Sequence, residues 1–266
     1  MPKCPNGKKH CDCTPEELRQ AALRNKNQPK EKAPPKVFKV KDPDPDDRFS
    51  DIHPHLPQPP SLLLIIGSVK QGKSNLLVNL LCNPDMYKDK FDIVKIISNT
   101  LNADPKGKLM NKYFDCEDHY NDEMITDLID SQKKYEDFER PTVALVLDDI
   151  LTKDFKKTNA VSFLATRFRH YGIGLLAFTT QSFRAVSGLI RNNSSDVIIM
   201  KQQNNKELEK INEEYGDMFP NIFMDLYKKA IEDAPYSFLY LDLQTNPASA
   251  YIRFETKIAE GENKLF

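Results

Sequence analysis

The chain has 266 residues, with 38 Lys/Arg against 39 Asp/Glu, a net charge of −1, and 39% hydrophobic content. That balance excludes a polybasic nucleic-acid coat, and the apolar fraction is enough for one α/β domain with appendages or for two small domains. No apolar run approaches the ~20 residues of a membrane-spanning helix. The polar N-terminus lacks the apolar stretch of a secretion signal. Five cysteines, an odd count, point to a reducing compartment and away from a disulfide framework.

Charge is unevenly spread. Residues 1–41 hold eleven Lys/Arg and four Asp/Glu, a surplus of +7, and the remainder carries −8. A basic arm on a mildly acidic body is either an electrostatic tether to nucleic acid or a solvated tail. Nine prolines fall between Pro29 and Pro60, among charged residues with few apolar ones. Such a segment buries too little surface to offset its ordering entropy, so residues 1–60 are expected to be a largely disordered N-terminal arm. A short helix fits Glu16–Arg24. Within this arm Cys4, His10, Cys11 and Cys13 supply four ligands of the kind that hold one Zn²⁺. The spacing is unlike common zinc fingers, and unpaired thiols in a flexible arm are the alternative.

From Ser61 onward, short apolar runs alternate with amphipathic ones. Strands are predicted at Leu62–Ile66, Ile93–Ile97, Val143–Leu147, Leu175–Thr179 and Val197–Met200; continuous apolar runs suit strands buried on both faces. Helices are predicted at Lys73–Leu81, Asp122–Lys134, Asn159–His170, Phe183–Asn192 and Lys206–Tyr215. The alternation implies an α/β domain over 61–266, with a mostly parallel central sheet flanked by helices. Tyr236–Leu243 and Ala250–Phe254 flank a turn and read as a C-terminal β-hairpin.

Four motifs in this frame carry chemistry. Gly67-Ser68-Val69-Lys70-Gln71-Gly72-Lys73-Ser74 spells G-x-x-x-x-G-K-S between a predicted strand and a predicted helix that opens with Asn75. Backbone N–H groups of such a loop, with the helix N-terminus, cradle phosphate oxygens. Lys73 would reach the β- and γ-phosphates of ATP, and Ser74 would ligate Mg²⁺. Second, Val143–Asp149 is an apolar strand ending in two carboxylates. Asp148 would hold Mg²⁺ through water, and Asp149 would polarise the attacking water. Third, Gly174–Gln181 is another buried strand with a polar end, where Gln181, or less readily Thr180, would orient water or sense the γ-phosphate. Fourth, Arg167, Arg169 and Arg191 are candidates for a guanidinium placed on developing phosphoryl charge; helix C-terminal solvation is their ordinary role. Cys82 and Cys116 read as a small core residue and a loop thiol.

The set GSVKQGKS, ALVLDD, RFRHYGIGLLAFTTQ and IRNNSSDVIIM resembles the genome-packaging ATPases of nucleocytoplasmic large DNA viruses, poxvirus-type members of the FtsK–HerA group of P-loop ring translocases. The likeness covers about residues 61–205. It implies that Lys73, Ser74, Asp148 and Gln181 bind and process ATP, with Arg169 as the first candidate for an arginine finger and Arg191 as the second. Many relatives carry Asp-Glu where this chain has the shorter Asp148-Asp149. The resemblance further implies a homo-oligomeric ring, most often a hexamer, around double-stranded DNA, working with capsid or portal-vertex proteins in the host cytoplasm and in the virion. Two other functions stay open on the residues: a cellular or mobile-element DNA translocase of the same superfamily, and a nucleotide-dependent switch or small-molecule kinase.

Overall fold

The computed structural model describes residues 14–17, 19–20, 47–102, 105–137, 139–150 and 159–261. The Cys4, His10, Cys11 and Cys13 cluster lies outside them. Residues 15–17 and 19–20 are helical, and Thr14 and Glu17 cap each other: Thr14 N–H donates to Glu17 Oε2 (2.8 Å) and Glu17 N–H to Thr14 Oγ1 (3.3 Å).

The five predicted strands form, each extended by one to three residues. They are β1 (Ser61–Ile66), β2 (Ile93–Ser98), β4 (Val143–Asp148), β5 (Ile173–Thr180) and β6 (Asp196–Met200). With β3 (Asp115–Glu117), β7 (Phe238–Asp242), β8 (Ser249–Ile252) and β9 (Thr256–Glu260) they make a nine-stranded sheet of order β3-β2-β4-β5-β1-β6-β7-β8-β9. Pairing is parallel from β3 to β6 and antiparallel from β6 to β9. Seven α-helices are named here: α1 (Lys73–Cys82), α2 (Pro105–Met110), α3 (Asp122–Gln132), α4 (Asn159–Arg167), α5 (Gly188–Asn193), α6 (Asn205–Tyr215) and α7 (Phe223–Glu232).

Strand side chains alternate between faces, and this periodicity divides the core in two. Leu62, Leu64 and Ile66 of β1 join Leu145, Leu147, Phe178 and Val197 against α3, α4, α6 and α7. Leu63 and Ile65 join Ala144, Val146, Ala177 and Ile198 against α1, through Leu76, Leu77, Leu80 and Leu81. Helices cover both faces, which is why the central strands read as unbroken apolar runs.

Several boundaries differ from the sequence expectation. The compact unit begins at Pro45, not Ser61. Ile52 and Leu56 are buried in the α1-side core, and the Tyr87 hydroxyl donates to the Pro57 carbonyl at 2.5 Å. Residues 47–60 are poor in apolar groups, but the few present are placed where the sheet can cover them. The single helix predicted over Phe183–Asn192 is two pieces, a 3₁₀ turn Phe183–Ala185 and α5, because Val186 is extended and Ser187 caps the Ile190 N–H. The helix predicted to His170 stops at Arg167; a 3₁₀ turn Phe168–Tyr171 follows, and Gly172 closes it at φ 68°. The α3 helix ends at Gln132, two residues early, and the hairpin is β7–β8, with Tyr236 in the preceding turn. Unanticipated are α2, β3, α7 and β9.

Leu56→Ala tests the new boundary. Removing a side chain only 3% exposed should cost about 3 kcal/mol. In a domain of this size that lowers Tm by roughly 6–12 °C, readable in a thermal melt. An unchanged Tm would mean that the segment before β1 adds nothing to the core.

Candidate nucleotide site at the carboxyl edge of the sheet

The loop after β1 enters a cavity of about 700 Å³, a volume usual for ligand sites. It is lined by the segment from Val69 to Asn75, by Thr100, Pro105, Asp149 and Gln181, and by Tyr236. The start of the loop is pinned by two backbone bonds: Gly67 N–H donates to the Thr180 carbonyl (3.1 Å) and Ser68 N–H to the Lys201 carbonyl (3.3 Å). Ser68 Oγ also accepts from Gln203 N–H at 2.9 Å, tying the loop to the entry of α6. Two glycines are needed for shape. A Cβ on Gly67 would stand 2.9 Å from Met200 Cβ. Gly72 adopts φ 101°, which side chains avoid. Gly72 precedes α1, whose opening N–H groups lie at the cavity.

Lys73 is buried. Its Nζ donates to the carbonyls of Gly67 (2.9 Å) and Ser68 (3.4 Å) and stands 4.0 Å from Asp149 Oδ2. Burial pulls its pKa below the ordinary lysine value, and Asp149 and Asp148 act in the opposite sense.

Asp148 ends β4 between two neighbours whose register puts hydroxyls beside it. Ser98 of β2 donates to Oδ2 at 2.8 Å, and Thr179 of β5 to Oδ1 at 2.5 Å. Burial raises its pKa, and these two hydrogen bonds counter the rise. Asp149 is turned elsewhere by a left-handed backbone, φ 52°. Its N–H donates to Thr179 Oγ1 (3.0 Å), and its Oδ2 accepts from Gln181 Nε2 (3.1 Å). Thr179 thus orients both acids at once. The Mg²⁺ of nucleotide chemistry fits this donor set. Each oxygen of Asp148 accepts one hydrogen bond, which leaves lone pairs for a water held by the ion, and Ser74 lines the cavity. Ser74 and Asp148 would hold the ion, with phosphate oxygens and water as its other ligands, as is usual for Mg²⁺ on a nucleotide.

Thr180 is not brought to the cavity. Its hydroxyl closes a local turn with the Ser182 carbonyl and N–H, both at 3.1 Å. Nor do the arginines reach it within the chain. Arg169 precedes β5, and Gln181 follows it; eight strand residues at ~3.3 Å each separate the two by about 26 Å. Arg169 is exposed, stacked over Phe168 at 5.5 Å, on a cleft of about 640 Å³ that also holds Asn192, Asn193 and Gln244. Arg191 is held over Phe183 (5.1 Å) and paired with Glu214 (3.4 Å). It borders a separate cleft of about 620 Å³ with Arg184, Lys206 and Lys210. Arg167 packs over Phe163 at 4.5 Å.

Sequence reasoning did not single out Ser98, Thr179, Glu207 or Tyr236. Glu207 is buried and accepts from Ser182 Oγ and the Arg184 N–H, both at 3.1 Å, fastening α6 to the chain leaving Gln181. Ser98 and Thr179 each end an apolar strand in a hydroxyl, a signal legible once the strands are aligned. Cys116 lies on β3, not in a loop, and burial pushes its thiol up to about 11; burial also raises Cys82, so neither is an activated thiol.

No family model matches the chain, and no curated protein matches it. Solved structures do. The genome-packaging NTPase B204 from Sulfolobus turreted icosahedral virus 2, in complex with ATP-γ-S, is similar with a TM-score of 0.50 at 19% identity over 73% of this chain and 98% of B204. Its sulfate complex gives 0.51 at 20% identity over 75% and 98%. The DNA-packaging ATPase B204 from Sulfolobus turreted icosahedral virus gives 0.54 at 18% identity over 74% and 98%. The chain therefore has the α/β P-loop ATPase fold, mostly parallel in its sheet and closed by a C-terminal antiparallel hairpin.

Proposed function

We propose that the chain is an ATP-hydrolysing motor that translocates double-stranded DNA into a viral capsid. One observation carries this beyond nucleotide binding: Lys73, Ser74, Asp149 and Gln181 line one cavity, with Asp148 buried next to Asp149, while Arg169 sits at the opposite edge of the sheet. A phosphoryl-transfer site gains from a guanidinium on the developing transition state, and among the described residues no arginine lines this cavity, which favours one supplied by a neighbouring copy. That favours a homo-oligomeric ring, with six subunits the expected number. The likeness to the B204 packaging proteins supports the same assignment. The ring would surround DNA, work at the viral assembly site in the host cytoplasm, and engage capsid or portal-vertex proteins. No described helix is long and apolar enough to cross a membrane.

Chemistry in the cavity follows from charge and geometry. Lys73 leaves its loop carbonyls for the β- and γ-phosphates. Asp149 accepts a proton from a water that Gln181 helps hold, and Thr179 keeps that carboxylate turned away from Asp148. Bound Mg²⁺, held through Ser74 and Asp148, supplies neutralisation of phosphate charge.

DNA should stimulate turnover in a motor. ATP hydrolysis measured with and without double-stranded DNA tests this, and equal rates would favour a switch or kinase. Lys73→Ala should abolish hydrolysis and weaken ATP binding. Asp149→Asn should still bind ATP yet hydrolyse it about 10²–10⁴-fold more slowly; if Asp148→Asn behaves that way and Asp149→Asn is silent, the two roles are reversed. Arg169→Ala should bind ATP and lose on the order of 10³-fold in rate. Mixing it with Lys73→Ala should restore part of the activity, because a mixed ring pairs an intact phosphate site with an intact finger next door. Recovery with Arg191→Ala instead would move the finger to Arg191, and recovery with neither would show that neither of these two arginines acts across an interface.

A further inference from the structure

We propose that Tyr236 is the nucleobase platform of this site, stacking on a purine whose triphosphate lies in the loop from Gly67 to Ser74. The inference rests on the ATP-binding assignment above and adds what recognises the base. Tyr236 lines the same cavity as Lys73 and Asn75 and is 69% exposed, so its ring is open to a ligand there. It lies close to the loop backbone: a Cβ added to Gly72 would stand 3.5 Å from both Cβ and Cδ1 of Tyr236.

The backbone at Tyr236 is costly. Ser237 N–H donates to the Ala234 carbonyl at 3.1 Å, so Ala234–Ser237 is a four-residue turn with Pro235 at its second position and Tyr236 at its third, φ 64°. A turn with positive φ at that third position takes glycine or asparagine by preference. A tyrosine there is strained without gaining burial, and such strain gathers at ligand sites.

Topology puts the ring on the correct flank. Beside β1, the β5–β4 side carries Gln181 and Asp149 and so takes the γ-phosphate. The base must leave toward the other side. There β6 and β7 follow, and Tyr236 is two residues before β7. Base–aromatic stacking needs no hydrogen-bond readout and grows with ring area, so purines should bind better than pyrimidines.

Titrations of the full chain with ATP, CTP and inorganic tripolyphosphate test this. Tyr236→Phe should keep ATP affinity within about twofold, since stacking does not use the hydroxyl. Tyr236→Ala and Tyr236→Gly should each weaken ATP by about tenfold or more, leave tripolyphosphate unchanged and erase the preference for ATP over CTP. Relief of the strained φ should raise the Tm of Tyr236→Gly by about 2–4 °C. Unchanged ATP affinity in Tyr236→Ala overturns the platform and leaves the ATPase assignment standing. Equal loss of ATP and tripolyphosphate, with a lower Tm in Tyr236→Gly, makes the tyrosine a structural prop and also overturns it. A wild-type chain that binds neither ligand overturns the assignment beneath it.

Discussion

The insertion of β5 between β1 and β4 is the constraint on which the site depends. Its register places Thr180 beside Ile66, where the phosphate loop begins, and Thr179 beside Asp148, where the acidic pair begins. One strand end thus spaces the loop from the carboxylates. The Thr180 carbonyl takes the first loop N–H, and the Thr179 hydroxyl takes the backbone N–H of Asp149 while donating to Asp148. A one-residue slip of β5 would exchange these roles and force Phe178 onto the opposite face of the sheet, where Ala177 now packs. Since Phe178 is fully buried, core packing enforces the site's register.

Electrostatics in the cavity is a balance of buried groups, none of which is stable alone. Lys73 and Asp148 are both desolvated, and burial pushes each toward its neutral form. What restores the charges is proximity: Asp149 lies 4.0 Å from the ammonium, and two hydroxyls bond to Asp148. A polyphosphate with its cation fits this balance, since it brings acceptors to the lysine and positive charge to the carboxylate. The same logic at the other end of the sheet is purely structural. Asp196, also buried, accepts from Ser61 (2.6 Å), Ser195 (2.8 Å), Tyr240 (2.7 Å) and Gln244 (2.8 Å), a satisfied network that locks β1, β6 and β7 together.

How much of this could be read from the sequence follows from length scales. Strands β1, β4, β5 and β6 are apolar on both faces, and β2 is apolar but for Lys95 and its terminal Ser98, so each announces itself within a few residues. The phosphate loop and the Asp148-Asp149 pair are contiguous, so spacing alone exposed them. What escaped was non-contiguous or marginal. Ser98 and Thr179 become partners of Asp148 only through pairing across three strands. Strand β3 is three residues long, and β9 is an edge strand with no buried residue. Helix α7 was legible: Phe223, Leu226, Tyr227 and Ala230 follow the helical period and are all buried. The segment 47–60 looked like a linker because its prolines outnumber its apolar residues, yet Ile52 and Leu56 suffice to dock it.

The start of α6 connects these parts. Asn204 caps it by accepting the Lys206 N–H, and the residue just before, Gln203, donates its N–H to Ser68 of the phosphate loop. One turn on, Glu207 holds Ser182 and Arg184, the residues that follow Gln181. Both ends of the nucleotide cavity therefore bear on a single helical turn. Because Glu207 is buried, displacement of either contact would leave a carboxylate short of partners, and such groups are expensive to strand. The turn must move with the loop and with Gln181 or hold both still. Lys206 and Lys210 of this same helix line a neighbouring cleft with Arg184, Arg191, Glu209 and Glu213, so the turn lies between the phosphate cavity and a highly charged surface.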